Sequence, residues 1–261
     1  MIREIATFNV NSVRSRLHIL DRWLNDTNID ILCLQETKTE NSTFPEEFFR
    51  QKGYEVVFCG EKSYNGVAVA SREKPISVSF GLGDGLLPDG KTRMAHCAFD
   101  GDIHVINLYV PQGKALEHPD YAMKLEFFNR LLNYLDRNFI PKSKVILVGD
   151  LNVAPTDIDV TNPRNKKNHV CFHEEVRKAF EAFLKWGFVD VFRKHRPQEG
   201  EFSFWDYRVK NALERNIGWR IDHILATPPV AGKSLDAYVV REIRAWEKPS
   251  DHAPVVGKFA L

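Results

Sequence analysis

Residues 54–71, YEVVFCGEKSYNGVAVAS, decide the fold. YEVVF (54–58) and GVAVAS (66–71) both read as β-strands, and no helix fits in the seven residues between them. The same strand pattern recurs along the chain in REIATFNV (3–10), DILCLQE (30–36), IHVINLYV (103–110), KVILVGDLN (144–152), RIDHILA (220–226), AYVVREIRAW (237–246) and PVVGKFAL (254–261). Three segments show a helical period instead. Val13, Leu17, Leu20 and Leu24 share a face after Ser12, read as an N-cap; Tyr121, Leu125, Phe128, Leu132 and Leu135 do so after Asp120. In the third, Glu174 and Glu175 fill a first turn, Val176, Phe180 and Phe183 face inward, and Gly187 offers a stop. Strands outnumber helices and several are consecutive, which argues against a uniformly parallel βαβ sheet. The pattern predicts an α/β fold of two packed sheets with helices outside them. No Pro- or Ser-rich linker, low-complexity tract or convincing repeat divides the chain, so one domain spanning 1–261 is expected. FNVNS and DLNVA resemble each other, but five residues are too few to establish a duplication.

Composition narrows the class. With 43% hydrophobic and 27% charged residues and a net charge of +1, the chain reads as a globular protein. No window approaches the roughly 18 apolar residues of a membrane span. MIREIATFNV lacks the basic-then-apolar layout of a secretion signal. Cys33, Cys59, Cys97 and Cys171 form no C-x-x-C pair, as expected of reduced thiols in a cytoplasmic protein. Basic clusters occur at RNKKNH (164–169), at FRKHR (192–196) and between Arg208 and Arg220. Each alone is an ordinary solvated surface; one basic face would suffice for a nucleic-acid footprint.

Several strands end in polar residues that a structural strand end does not need. DILCLQETK delivers Gln35, Glu36, Thr37 and Lys38; KVILVGDLNVAP delivers Asp150 and Asn152; IATFNVNS delivers Asn9 and Asn11; INLYVPQGK reaches Tyr109. RIDHILA sets Asp222 among apolar neighbours, and PSDHAP adds Asp251 and His252. Singly, such residues make turns and caps. Gathered, four carboxylates repel unless a cation or a shared proton holds them. Oxygen ligands without a Cys or His cluster favour magnesium, or manganese, over zinc, and magnesium commonly completes its shell with substrate phosphates. Phosphate-ester chemistry follows. Asp222 could orient the His252 ring and favour its charged form. GDLN is not a G-x-S-x-G elbow, which argues against a serine hydrolase.

TFNVNS (7–12), LQETK (34–38), YVPQG (109–113), GDLNVAP (149–155), NIGWRIDHILA (216–226) and PSDHAPV (249–255) resemble, in order and spacing, the exonuclease III family of apurinic/apyrimidinic endonucleases, within the endonuclease/exonuclease/phosphatase superfamily. The resemblance runs from Ile5 to Phe259. It implies a four-layered α/β sandwich of two mixed sheets flanked by helices. The implied reaction is magnesium-dependent cleavage of duplex DNA 5′ to abasic sites, leaving a 3′-hydroxyl, with 3′-5′ exonuclease or 3′-phosphodiesterase activity. Its catalytic residues would be Tyr109, Asp150, Asn152, Asp222 and His252. Its metal set would come from Asn9, Glu36, Asp150, Asn152, Asp251 and His252, and whether Asp150 is base or ligand stays open. Its substrate contacts would include Asn11, Arg14, Lys38, Gln112, Lys114, Asn168, Phe204, Trp205 and Trp219. The partner would be double-stranded DNA with abasic or 3′-blocked sites, bound by a monomer of bacterial or archaeal type with no N-terminal regulatory extension. Superfamily phosphatases acting on lipids or small molecules share the Glu, Asp-x-Asn and Ser-Asp-His elements, so these fix chemistry, not substrate. FSFWDYR (202–208) and ERNIGWRID (214–222) carry the DNA-repair likeness, with Phe204 and Trp219 lining a slot for a flipped-out abasic sugar. By periodicity alone both aromatics read as core.

Overall fold

The structure, a computed structural model, describes residues 2–261. The strands are β1 (Ile2–Asn9), β2 (Ile31–Gln35), β3 (Glu55–Glu61), β4 (Tyr64–Ser71), β5 (Ser77–Phe80), β6 (Met94–Phe99), β7 (Ile103–Tyr109), β8 (Lys144–Asp150), β9 (Val189–Asp190), β10 (Asp222–Ala226), β11 (Ser234–Val239) and β12 (Val255–Ala260). The helices are α1 (Leu17–Asn25), α2 (Glu46–Gln51), α3 (Pro119–Asn138), α4 (Glu174–Trp186), α5 (Val191–His195) and α6 (Pro228–Ala231). Two six-stranded sheets form, ordered β11-β12-β1-β2-β4-β3 and β5-β6-β7-β8-β10-β9. In each, the central pair, β1/β2 or β7/β8, is parallel and every other pair is antiparallel. Each parallel pair is joined through a helix, α1 or α3. The two sheets therefore repeat one pairing scheme, a regularity that the short FNVNS/DLNVA likeness did not establish.

Period-2 burial explains the layering. Ile5, Cys33 and Val69 of one sheet meet Cys97, Val105, Ile146 and Ile224 of the other. On the outer faces, Ala6, Phe8, Leu32 and Leu34 pack under Leu20, Trp23 and Phe49, while Ile106, Leu108 and Leu147 pack under Phe128, Leu131, Phe180 and Phe183. The result is helix, sheet, sheet, helix, as expected. No described helix is long and apolar enough to cross a membrane.

Three strands were not expected. β5 is short and mostly exposed, β9 has two residues, and β6 carries His96 in an apolar run. Ser12 is not an N-cap: it adopts φ 89, its hydroxyl meets that of Ser15 (3.1 Å), and a 3-10 turn at Arg14–Arg16 precedes α1. α4 follows expectation, with Gly187 at φ 130 ending it. In α3 the stripe is wider than the apolar spacing implies, because Lys124 and Arg130 are buried with it.

A polar layer crosses the inter-sheet core. Gln35 Nε2 donates to Thr7 Oγ1 (2.9 Å) and Asn107 Oδ1 (2.6 Å), and Asn107 Nδ2 donates to the carbonyls of Leu34 and Ala68 (2.9 Å each). These bonds offset much of the cost of burying the two amides, although Gln35 Oε1 itself has no partner. This layer keys the two sheets together just below the carboxyl ends of β1, β2, β7 and β8, where loops of both sheets converge.

Candidate active site

Asn9 and Tyr109 end β1 and β7, Glu36 directly follows β2, and Asp150 ends β8. The chain turns sharply after each carboxylate strand. Glu36 adopts φ 50 and Asn152 φ 51, left-handed conformations that cost a non-glycine residue roughly 1 kcal/mol or more. Backbone bonds from Ser12 N to Glu36 O (2.8 Å) and from Val13 N to Thr37 O (3.1 Å) hold the first turn; Asn152 N donating to Asp150 Oδ1 (2.9 Å) holds the second. Gly149 sits at φ 144, and a Cβ there would lie 1.9 Å from Leu108 O, so only glycine lets β8 approach β7 before Asp150.

Asn9 bridges the sheets. Its Nδ2 donates to Glu36 Oε1 (2.8 Å) and Asp150 Oδ2 (2.9 Å), while its Oδ1 accepts from Asn11 N (3.0 Å). Its side-chain carbonyl accepts one bond and its amide faces the acids, so that it bridges the two carboxylates. Lys38 pairs with Glu36 (2.8 Å) and donates to Asn11 Oδ1 (2.6 Å), and Asn11 Nδ2 donates to Asp251 Oδ1 (3.1 Å). His252 Nδ1 bonds Asp222 Oδ2 at 2.8 Å, and Ser203 Oγ donates to the same oxygen (2.6 Å). Its Nε2 lies 3.8 Å from Asp150 Oδ2, too far for a direct hydrogen bond. Ser250 fixes the turn: its hydroxyl donates to Asn9 O (2.7 Å) and accepts from His252 N (3.2 Å).

These contacts set the charges. Burial opposes a charged His252, but Asp222, then Asp150 and Asp251, outweigh it and bring its pKa up to about 10. Asp150 is pushed up to about 7, chiefly by burial and also by Asp222 and Glu36, against the lowering effect of His252. Glu36 resists burial through Lys38 and Asn9 and stays below its ordinary value. Burial, then Glu36 and Asp150, raises the Tyr109 hydroxyl well above its usual range. At neutral pH the site holds an imidazolium backed by a carboxylate, beside a carboxyl poised to exchange a proton.

The groups open into a cavity of about 430 Å³ whose far wall is apolar: Phe204, Trp219 and Ile221, with Cys171 and His169. Backbone bridges tie Phe204 to both Trp219 and His252, and the Phe204 ring lies 4.9 Å from the His252 ring. Trp219 is packed against His169 (4.5 Å) and lies under the Lys166 ammonium (5.5 Å). Glu36, Tyr109, Gln112, Asp150, Asn152, Asp251 and His252 also line the cavity, and Asp222 stands directly behind it.

Several expected contacts lie elsewhere. Trp205 is corrected: it is 1% exposed, packs with Phe202, Ala212 and Ala253, and donates to Asn216 Oδ1 (3.3 Å). Along an extended segment neighbours face opposite ways, so Phe204 takes the cleft and Trp205 the core. Asn168 is exposed outside the cavity wall, where its neighbour His169 stands. Lys114 pairs with Asp120 (2.8 Å). Arg14 and Lys38 border a separate cavity of about 240 Å³ with Lys62. Arg220 is no phosphate contact: it is buried between Asp159 (2.6 Å) and Asp190 (2.8 Å). FRKHR is likewise structural, with Arg193 on Asp159 and Lys194 on Ala231 O (2.7 Å). The sequence reading missed Ser203, legible as the polar residue of FSFW, and His169, which follows Asn168 in a basic run.

Asp150, Asp222 and His252 offer ligand atoms within 4.8 Å of one another, a grouping that could hold a metal ion. Comparisons with known proteins agree with this chemistry. Residues 6–252 match the model of the Endonuclease/Exonuclease/phosphatase family. An exodeoxyribonuclease of Bacillus subtilis is 36% identical over 259 residues, covering 97% of each chain. An AP endonuclease from Archaeoglobus fulgidus superposes with a TM-score of 0.96 at 51% identity, covering 99% of this chain and 100% of that one. The 3′ phosphatase NExo from Neisseria, solved with a product DNA hairpin, gives 0.92 at 36% identity, with 99% and 100% covered. The chain belongs to the endonuclease/exonuclease/phosphatase family, in the branch of phosphodiester-hydrolysing nucleases that includes exodeoxyribonuclease III and the AP endonucleases.

Proposed function

We propose that this cleft hydrolyses the phosphodiester 5′ to an abasic site in duplex DNA, leaving a 3′-hydroxyl, and also removes 3′-terminal groups. Residues 1–261 act as one catalytic domain, in a monomeric and cytoplasmic enzyme. The observation that carries this reading is the adjacency of two features: a proton-exchanging pair, Asp150 and His252, 3.8 Å apart, and an apolar slot formed by Phe204, Trp219 and Ile221. Phosphodiester chemistry thus stands beside a pocket suited to a sugar without its base. Flipping such a nucleotide out costs least because no base is stacked.

The residues present fit a hard divalent cation. Glu36, Asp150, Asp222 and Asp251 crowd one site in which Glu36 is paired with Lys38 and Asp222 with His252, and burial together with Asp222 and Glu36 raises the Asp150 pKa, an acid excess that a cation would relieve. Glu36, Asp251 and Asp150 would hold the ion on the side of the cluster away from Asp222, and His252, bonded to Asp222, would supply proton chemistry beside it when not itself a ligand. Magnesium there, or manganese in its place, would neutralise charge on the phosphate and polarise it.

The protein's own groups do the rest. Asp150, oriented by Asn9 and Asn152 N, accepts a proton from the attacking water. His252, whose Nδ1 is taken by Asp222, donates from Nε2 to a non-bridging phosphate oxygen in the cavity as that oxygen gains charge in the transition state. Asp222 and Ser203 keep that ring oriented. The Tyr109 hydroxyl, with its pKa raised, stays protonated and donates to the phosphate. Asn152, held through Nδ2 on Val110 O (3.0 Å), aligns the attack. Gln112 lines the cavity, Lys38 is paired with Glu36, and Arg14 and Lys114 lie outside the cavity wall, where a DNA backbone would pass.

The test compares substrate classes. A duplex with one abasic analogue, a duplex with a 3′-phosphate and a small phosphomonoester are each incubated with magnesium and with chelator. Turnover of both DNAs, lost with chelator, is expected. Turnover of the phosphomonoester with both DNAs untouched would favour a lipid or small-molecule phosphatase.

A further inference from the structure

Lys124, on α3, is fully buried and forms no ion pair among the described residues. Its ammonium donates to three backbone carbonyls: Gln112 O (3.0 Å), Asn152 O (2.6 Å) and Val170 O (2.8 Å). An ammonium has three N–H groups, and all three are used. The acceptors come from three separate loops, after β7, after β8 and in the segment preceding α4. Each loop carries cavity-lining side chains: Gln112, Asn152, and the pair His169 and Cys171. Among the described residues no other side chain bonds all three. Gly113 lets its loop settle on this lysine: it adopts φ 100, and a Cβ there would lie 3.3 Å from Lys124 Cδ. Burying an ammonium without a carboxylate is costly, and an apolar residue of similar length would pack under α3 without that cost.

We propose that Lys124 is a positioning residue for catalysis, whose ammonium locks the three cleft loops into one arrangement and thereby sets where Asn152 meets the substrate. The proposal rests on the reading of the cleft as the reactive centre. The geometry explains why the pin is a cation: three carbonyl oxygens converging on one point repel one another unless a donor with three protons sits between them. A long flexible stem from a rigid helix delivers that donor from behind the cleft. Misplacement of a catalytic group by about 1 Å can cost on the order of 10²-fold in rate.

The test uses Lys124→Met and Lys124→Gln, the second keeping some donor capacity should the first fold poorly. Hydrogen exchange is measured on the substrate-free protein. Segments 110–114, 151–154 and 168–172 are expected to exchange faster together, by about tenfold or more, while β7 and β8 stay protected. No change, or a change confined to α3, overturns the proposal. With abasic duplex and magnesium, kcat is expected to fall about 10²-fold and KM to shift by less than about threefold. In an Asn152→Ala background the Lys124→Met change should add less than about threefold. An equal loss in both backgrounds would mean that Lys124 does not act through Asn152. If the wild-type protein cuts no abasic duplex, the reading of the cleft fails, and the exchange result still upholds or overturns the role of Lys124.

Discussion

Replacing Asp222 with Asn leaves size and shape almost unchanged and removes the charge behind His252. The imidazolium is held up to about 10 against an ordinary value of 6.5, which at 1.36 kcal/mol per pH unit amounts to roughly 5 kcal/mol, an upper bound because Asp150 and Asp251 share it. Asp222 is the largest favourable contributor. Without it the His252 pKa falls, so toward alkaline pH less of the ring carries its proton than in the wild type. Cleavage should then fall about 10²- to 10³-fold, the scale of losing one preorganised donor. The assay is single-turnover cleavage of an abasic duplex from about pH 6 to pH 10 with saturating magnesium. The ratio of variant to wild-type rate is expected to be lowest at about pH 8 to 9 and to recover toward pH 6, where the variant's ring regains its proton. A ratio constant across that range would refute the reasoning. Stability follows the same sign. A raised histidine pKa stabilises the fold fully below 6.5, and the contribution is lost as pH rises through about 10, so Asp222→Asn should flatten that loss.

Asp150→Asn should abolish cleavage yet stabilise the metal-free protein. A carboxyl raised from 3.8 to about 7 costs stability as pH rises across that window, by at most about 4 kcal/mol, and thermal unfolding in chelator at about pH 8 should show a higher Tm for the variant. Trp219→Ala opens the apolar slot, and kcat/KM for the abasic duplex should fall about tenfold or more while 3′-phosphate removal changes less; equal losses would deny the slot a role in selection. Arg220→Met leaves Asp159 and Asp190 buried with only Arg193 between them, and urea unfolding should report a loss of about 3–5 kcal/mol.

How much was legible in the sequence depended on whether a residue's neighbours in the chain were also its neighbours in space. Strand runs such as KVILVGD and the helical stripe of α4 carry their own periodicity, and the carboxylates stand out because they interrupt apolar strands at their ends. Gln35 stands out as a polar strand end and Asn107, inside an apolar strand, does not; only the pairing of two sheets makes them a polar key. Arg220 reads as a solvent-facing charge, and Lys124 gives no reading at all, because their partners come from loops and strands remote in sequence. FSFWDYR placed two aromatics side by side without showing which faced the cleft, a question settled by the pairing of Phe204 with Trp219. β5 and β9 are too short to carry a pattern at all.

The most direct measurement is the position of the cut. A duplex labelled at the 5′ end of the strand bearing one abasic analogue, treated with the wild-type protein and magnesium and resolved at single nucleotides, should give one product ending in a 3′-hydroxyl immediately 5′ of the lesion. The Asp150→Asn variant should give none. Cuts scattered along intact and abasic duplexes alike, or a product bearing a 3′-phosphate, would contradict the assignment of this cleft.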